Sequence, residues 1–390
     1  MIKGSSSSQP VQFISTQKKL DAAVQALSGV PSFAFDLEFD RDRYSYGFTL
    51  CLVQLATPEV CFVIDPLASV SLAPLFSLFA DPAIQKIMHS GGEDLRLLHA
   101  LGCFPHNLYD TDITARLLNY EQCSLAALLF DVMGLLLHKG EQKSNWLKRP
   151  LTEGQINYAA NDVIYLHRLK EALEEKLAGR PAAALLQSEQ AMLSTTKYLP
   201  EEKVWFLRKE DERSLSPYEQ HVLNTLYVLR DQKARLLDKP AYQVMEEALL
   251  RPLATGELPP AALPDAKGMH PRLRNEAFVT EVAATLAAAH AAAAAQNLSR
   301  QTGQKPRLSP EQRAARDQGE RDKEVVFAPI QQELAARFGQ NAARFLLSNG
   351  GVSQIVTGRS RIGQLPEGRQ QLLVEIAAAL GLEASLRNYF

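Results

Sequence analysis

The sequence predicts an α/β domain built on a mixed sheet, followed by small all-helical modules. Two observations carry this. Apolar runs of strand length cluster in the first 90 residues, at 32–39, 49–56, 60–65 and 84–88. Beyond them apolar residues recur mainly at helical spacing, and the region from 201 to 295 holds no convincing strand. A chain of 390 residues with 46% hydrophobic and 22% charged side chains has material for two or three domains and at least one sizeable core.

The elements follow in order. Residues 1–10 carry a serine run before Pro10 and predict a disordered tail; they lack the apolar stretch of a signal peptide. Residues 11–190 predict the first domain. Its three early strands are joined by short turns, as in an antiparallel meander. A helix is expected over 72–79 and a fourth strand over 84–88. Helices are expected over 94–101, 111–119, 125–133 and 152–176, the last closed by Arg180-Pro181. Residues 200–295 predict a small helical domain, with amphipathic stretches at 218–237 and 241–250. The alanine-rich run at 283–295 follows charged residues and is broken by His290, so it reads as a helix end and not as a membrane span. Residues 296–323 are polar with both charge signs and predict a linker. Residues 324–390 return to helical periodicity and predict a second, smaller module.

The net charge of −2 offers no bulk attraction for nucleic acid, so any such binding must rest on local basic surface or on metal ions. Cys51, Cys61, Cys103 and Cys123 form no Cys-x-x-Cys pair and have no His at zinc-site spacing, which predicts reduced thiols in a cytoplasmic protein.

Three motifs carry chemistry. In Ser32-Phe33-Ala34-Phe35-Asp36-Leu37-Glu38-Phe39, strand alternation puts the four apolar side chains on one face and Asp36 with Glu38 on the other. Paired carboxylates repel, and a divalent cation with oxygen ligands removes that cost. A solvent-facing acidic strand would show the same pattern. In Ile87-Met88-His89-Ser90-Gly91-Gly92-Glu93-Asp94-Leu95, a strand turns into a helix with Asp94 in its first turn, where an Asp also suits the helix dipole. In Tyr158-Ala159-Ala160-Asn161-Asp162, Tyr158 and Asp162 share a helix face four residues apart. That helix opens at Thr152-Glu153-Gly154-Gln155, which has capping-box form.

The order and spacing of these motifs resemble the DEDDy exonucleases, a ribonuclease H-like group, and within them the ribonuclease D family. The likeness extends to Tyr109-Asp110-Thr111 and to Lys143-Ser144-Asn145-Trp146-Leu147-Lys148-Arg149-Pro150-Leu151, and covers about residues 11–180. Leu37 stands where the family often has Thr, and Asn145 where it often has Asp. The resemblance implies 3′→5′ removal of nucleoside 5′-monophosphates from RNA ends, transfer-RNA precursors included. It implies two divalent ions, Mg²⁺ or else Mn²⁺, about 3.5–4 Å apart. Their ligands would be Asp36, Glu38, Asp94 and Asp162, with Tyr158 orienting the attacking water. Lys143, Trp146, Lys148 and Arg149 read equally as substrate contacts or as a surface loop with an anchoring tryptophan. Asp110 is expected to cap the helix after it, Asp65 to cap a turn before Pro66, and His89 to be a packed residue.

Residues 223–244 resemble the HRDC domain, a small helical module that commonly binds nucleic acid. Residues 344–380, with Leu365-Pro366-Glu367-Gly368-Arg369, weakly resemble a second one, although the tryptophan often beside that Gly-Arg step is missing. Two rival functions remain at this point: a DNA-directed 3′→5′ exonuclease, and an inactive nucleic-acid-binding scaffold. No membrane and no obligate protein partner are expected.

Overall fold

A computed structural model describes residues 9–137, 140–198, 204–302 and 309–390. Most of the expected tail, 1–8, lies outside these. The described residues of 1–38, 50–199 and 308–390 form one unit, and those of 39–49 and 200–307 a second.

A mixed six-stranded sheet frames the first unit. Its strands are β1 (Val11–Ile14), β2 (Ser32–Arg41), β3 (Phe48–Ala56), β4 (Cys61–Ile64), β5 (Gln85–Met88) and β6 (Leu108–Asp110), in spatial order β1-β4-β3-β2-β5-β6. β3 and β4 are antiparallel; β1 runs parallel to β4, and β5 runs parallel to β2 and β6. The expected meander is therefore present and extended on both sides. β1 and β6, four and three residues long, were not expected from the sequence.

Helices α1 (Gln17–Leu27), α2 (Ala73–Ala80), α3 (Gly92–Ala100), α4 (Thr111–Leu117), α5 (Leu125–Met133), α6 (Glu153–Ile164), α7 (Leu166–Leu177) and α8 (Ala183–Thr195) surround the sheet. Phe33 and Phe35 of β2 pack edge-on against Phe79 of α2, with centroids 5.5 and 5.0 Å apart. That contact fixes which face of β2 looks inward and leaves Asp36 and Glu38 on the other. The single helix expected over 152–176 is two, parted at Tyr165. α6 packs on β4, whereas α7 packs on α4, α5 and β5. No proline or glycine marks the break, so periodicity alone could not locate it.

In the second unit, α9 (Lys209–Ser214), α10 (Pro217–Leu237), α11 (Ala241–Val244), α12 (Glu247–Thr255) and α13 (Glu276–Ala295) enclose a core that includes Val222, Leu226, Leu250 and Val282. Ser216 and Glu219 form a capping box ahead of α10, with Pro217 in its first turn. Tyr46, from the tip between β2 and β3, donates its hydroxyl to Asp231 at 2.8 Å and its N–H to Asp238 at 3.2 Å. Among the described residues α13 is the one helix long and apolar enough to cross a membrane. Its Phe278, Val282, Leu286, Ala289 and Ala293 are buried in the core of this unit.

The chain then returns to the first unit with α14 (Pro310–Asp322), α15 (Ala328–Phe338), α16 (Gln340–Leu346), α17 (Asn349–Val356), α18 (Glu367–Ala379) and α19 (Glu383–Leu386). Within the stretch expected as a linker, 303–308 lie outside the described residues and 310–322 are helical. Ser309 and Gln312 form a capping box with Pro310 in the first turn, which outweighs the charge-rich composition. Two contacts seat this C-terminal module on the sheet domain. Arg369 of α18 grips buried Glu189 of α8 through two hydrogen bonds of 2.9 and 2.5 Å. Beside it, a Cβ on Gly368 would lie 2.6 Å from Ser188 Oγ, so glycine permits the close approach. The Gly-Arg step thus serves docking.

Glu189 is 4% exposed, so removing its partner strands a buried carboxylate. Arg369→Ala should lower stability by about 3 kcal/mol in urea unfolding. Glu189→Leu combined with Arg369→Met should lose clearly less. Equal losses would mean that the pair's charge is not what holds the module.

Candidate active site

Two carboxylates come from β2, one from α6 and one from α3. On β2, Asp36 and Glu38 are half-buried opposite the phenylalanine face. On α6, the capping box of Thr152 and Gln155 fixes where the helix begins and hence where its third turn carries Asp162. Oxygens of Asp36, Glu38 and Asp162 all lie within 4.8 Å of one another. Tyr158, one turn earlier, donates its hydroxyl to Asp162.

Asp94 stands slightly apart. It is buried in the first turn of α3 and is not one of the three whose oxygens converge. Its carboxylate accepts the Leu37 N–H, which also serves Asp36, and its charge reaches both Asp36 and Glu38. The turn before it is tightly built. Ser90 has φ +56°, and a Cβ on Gly91 would strike Met88 Sδ at 2.4 Å. Asp110 holds that turn by accepting the Ser90 and Gly91 N–H groups at 2.8 and 3.2 Å, and it caps α4 through Asp112 N–H at 2.9 Å. Gln190 in turn clasps the Asp110 backbone through two hydrogen bonds of 2.8 and 2.9 Å. The expected capping role of Asp110 is met and enlarged.

Electrostatics follow from crowding. Burial pushes the Asp36 carboxyl up to about 7 and Asp162 up to about 8. Burial, then the charges of Asp36, Asp162 and Asp94, push Glu38 up to about 10. Burial and the Asp36 charge raise Asp94 as well. Burial, followed by the neighbouring carboxylates, raises the Tyr158 phenol above its usual range. The donor set is oxygen only, with no cysteine or histidine, and it is short of positive charge. Both features fit a hard divalent cation. His89 is packed, as expected: its ring nitrogens meet Thr111 Oγ1 at 2.8 Å and the Cys123 carbonyl at 2.9 Å.

The loop before α6 corrects part of the sequence reading. Trp146 is 4% exposed and packs in the core, 6.1 Å from the Tyr158 ring, so no base can stack on it. Arg149 clamps both Asp65 carboxylate oxygens at 2.7 Å and donates to the Trp146, Lys148 and Cys51 carbonyls, which leaves its guanidinium committed to the fold. Asp65 also caps the turn at Leu67, as expected. Asn145 accepts the Leu147 N–H at 3.1 Å within this loop. Lys143 and Lys148 are exposed.

Asp36, Glu38 and Asp162 line a cleft of about 630 Å³. Its lining also includes Asp112, Arg116, Asn341, Arg344 and Phe345. The last three come from α16, and sequence analysis did not single them out. Periodicity placed 324–390 in helices, but nothing in the sequence says which surface each helix meets.

A family model described as 3′-5′ exonuclease matches residues 11–178. The chain is 31% identical to ribonuclease D of Pseudomonas paraeruginosa over 268 residues, 67% of this chain and 70% of that protein. It is 33% identical to ribonuclease D of Desulfotalea psychrophila over 254 residues, 62% of this chain and 66% of that one. The chain therefore spans about two thirds of the length of these curated relatives, and slightly less in the second. Its fold resembles the crystal structure of Escherichia coli RNase D, described as an exoribonuclease involved in structured RNA processing, with TM-score 0.69 and 26% identity over 97% of this chain and 99% of that one.

The raised carboxyl values predict a pH signature. In the folded, metal-free protein these groups keep protons that the unfolded chain releases near pH 4. Folded molecules then bind more protons than unfolded ones from about pH 4 to 8, so stability falls as pH rises through that window. The melting temperature in chelator should drop steadily from pH 5 to 8, and a divalent cation should remove most of that drop. A profile in chelator that is flat over this range would mean the carboxylates ionise without mutual cost.

Proposed function

Because the chain belongs to the ribonuclease D family, we propose that it is a metal-dependent 3′→5′ exoribonuclease. Its substrates would be the 3′ ends of small structured RNAs, transfer-RNA precursors among them. The observation that carries this reading is the convergence of Asp36, Glu38 and Asp162 oxygens within 4.8 Å, in an open cleft that Asp94 backs. The description of the Escherichia coli relative supports structured RNA as the substrate class.

Asp36, Glu38 and Asp162 would hold the divalent ions, two Mg²⁺ in this reading, with Asp94 completing the set directly or through water. When bound, the ions supply water activation and neutralise the phosphate. The protein's own part is to position. Tyr158 keeps its proton, since its phenol is raised, and so it acts as a hydrogen-bond donor and not as a base. Donating to Asp162, it fixes that carboxylate and can orient the incoming water on the same side. Asp110 and Gln190 hold the turn from which Asp94 projects. The helical unit of 200–307 would serve as an HRDC-like RNA-binding module. Four unpaired cysteines are compatible with a cytoplasmic setting.

The test is 3′-labelled single-stranded RNA. With Mg²⁺ the protein should release labelled nucleoside 5′-monophosphate, and EDTA should stop it. Asp162→Asn should lower kcat by roughly 10²-fold or more, the scale of losing one charge-stabilising group. Matched DNA should be cut more slowly. Absence of any mononucleotide from the wild type would end the proposal, and faster cleavage of DNA would reassign its substrate.

A further inference from the structure

We infer that Arg344, in the C-terminal module, binds RNA backbone phosphate in the catalytic cleft, upstream of the nucleotide being removed. This rests on the exonuclease reading above and adds a residue that the sequence motifs do not contain.

The argument begins with charge. The cleft is lined by five carboxylates: Asp36, Glu38, Asp112, Glu121 and Asp162. Divalent ions can serve the scissile phosphate, but the phosphates further upstream still need cations. Two arginines line the cleft. Arg116 is committed, because its Nε pairs with Asp112 at 2.6 Å on the same helix. The Arg344 side chain is exposed and has no hydrogen-bond or ion-pair partner among the described residues. Three of the six arginines in 324–390 are ion-paired: Arg337 with Glu333 and Glu375, Arg369 with Glu189, and Arg387 with Glu383.

Next comes placement. Asn341, Arg344 and Phe345 are spaced i, i+3, i+4 and share one face of α16. The sheet domain fixes that face. Asn119, at φ +66°, accepts the Asn341 and Ala342 N–H groups at 2.8 and 3.1 Å, and its carbonyl accepts Asn341 Nδ2 at 3.3 Å. Gly339 allows this approach, since a Cβ there would lie 2.3 Å from Asn119 Nδ2. The Phe345 ring has the guanidiniums of Arg116 and Arg369 at 5.9 and 4.9 Å from its centroid, and it carries no charge to offer a phosphate. Asn341 is spent on Asn119. Arg344 is the group on this face left to meet a ligand, and a guanidinium suits phosphate oxygens in geometry and charge.

Steady-state cleavage of a 5′-labelled single-stranded RNA over a range of salt tests this. Arg344→Ala should raise KM about tenfold, leave kcat within about twofold, and flatten the slope of log(kcat/KM) against log salt by about 0.7, one single-strand phosphate contact. Arg344→Lys should recover most of the KM. Arg359→Ala, which removes another exposed arginine of this module away from the cleft, should match the wild type. If the wild type degrades RNA and Arg344→Ala keeps both its KM and its salt slope, the inference is overturned. A loss confined to kcat overturns it too, since that would place Arg344 in the chemical step. If the wild type does not degrade RNA, the exonuclease reading is what fails.

Discussion

Like charges held within 4.8 Å of one another in a poorly solvated cleft repel strongly, and the rest of this domain is arranged around that repulsion. The acids are not left on a flexible surface where they could drift apart. Two are locked on a central strand by the packing of Phe33 and Phe35 against Phe79. One sits on a helix whose start is fixed by a reciprocal cap. The fourth projects from a turn that buried Asp110 holds. Each device removes a route by which the carboxylates could separate. Ionising them in the metal-free protein therefore stays costly, a cost that a bound divalent cation would remove.

Positioning in this site runs through successive layers. Gln190 on α8 fixes Asp110, Asp110 fixes the Ser90-Gly91 turn, and that turn fixes Asp94 beside Leu37. The neighbouring residue on α8, Glu189, anchors the C-terminal module through Arg369. Helix α8 therefore supports the acidic wall of the cleft and seats the C-terminal helices. Residues far from the motifs matter to the site because α8 and α18 are packed as one block.

Strand alternation made the mixed sheet and its meander legible and put Asp36 and Glu38 on one face, because it is a local signal; that Asp162 meets them was legible only through the resemblance to the ribonuclease D family. The failures of sequence reasoning are equally physical. β6 spans three residues, too few to show a period, and the break at Tyr165 carries no proline or glycine. The helix 310–322 was hidden by charge, although its capping box was in plain view. Trp146 and Arg149 misled because residue type alone cannot say where a side chain points. Tryptophan and arginine beside a catalytic motif suit RNA contact, yet burial and the Asp65 clamp give both to the fold. The loop they stabilise lies just ahead of Tyr158 and Asp162, so they still bear on the site by holding the entry to α6.

The C-terminal helices change how the cleft should be viewed. A sheet domain whose chemistry needs a negative wall cannot draw a polyanion into that wall by itself. Positive charge must come from elements outside the motif set, and such elements must be fixed well enough not to collapse onto the acids. A flexible arginine near Asp112 or Glu121 would form an ion pair and be lost to the substrate. α16 avoids this by rigid attachment: Asn119 caps its start, Phe345 lies against the Arg369 guanidinium, and Arg369 is anchored to Glu189. Docking of this module is thus part of how the cleft keeps its two charge signs apart until substrate enters.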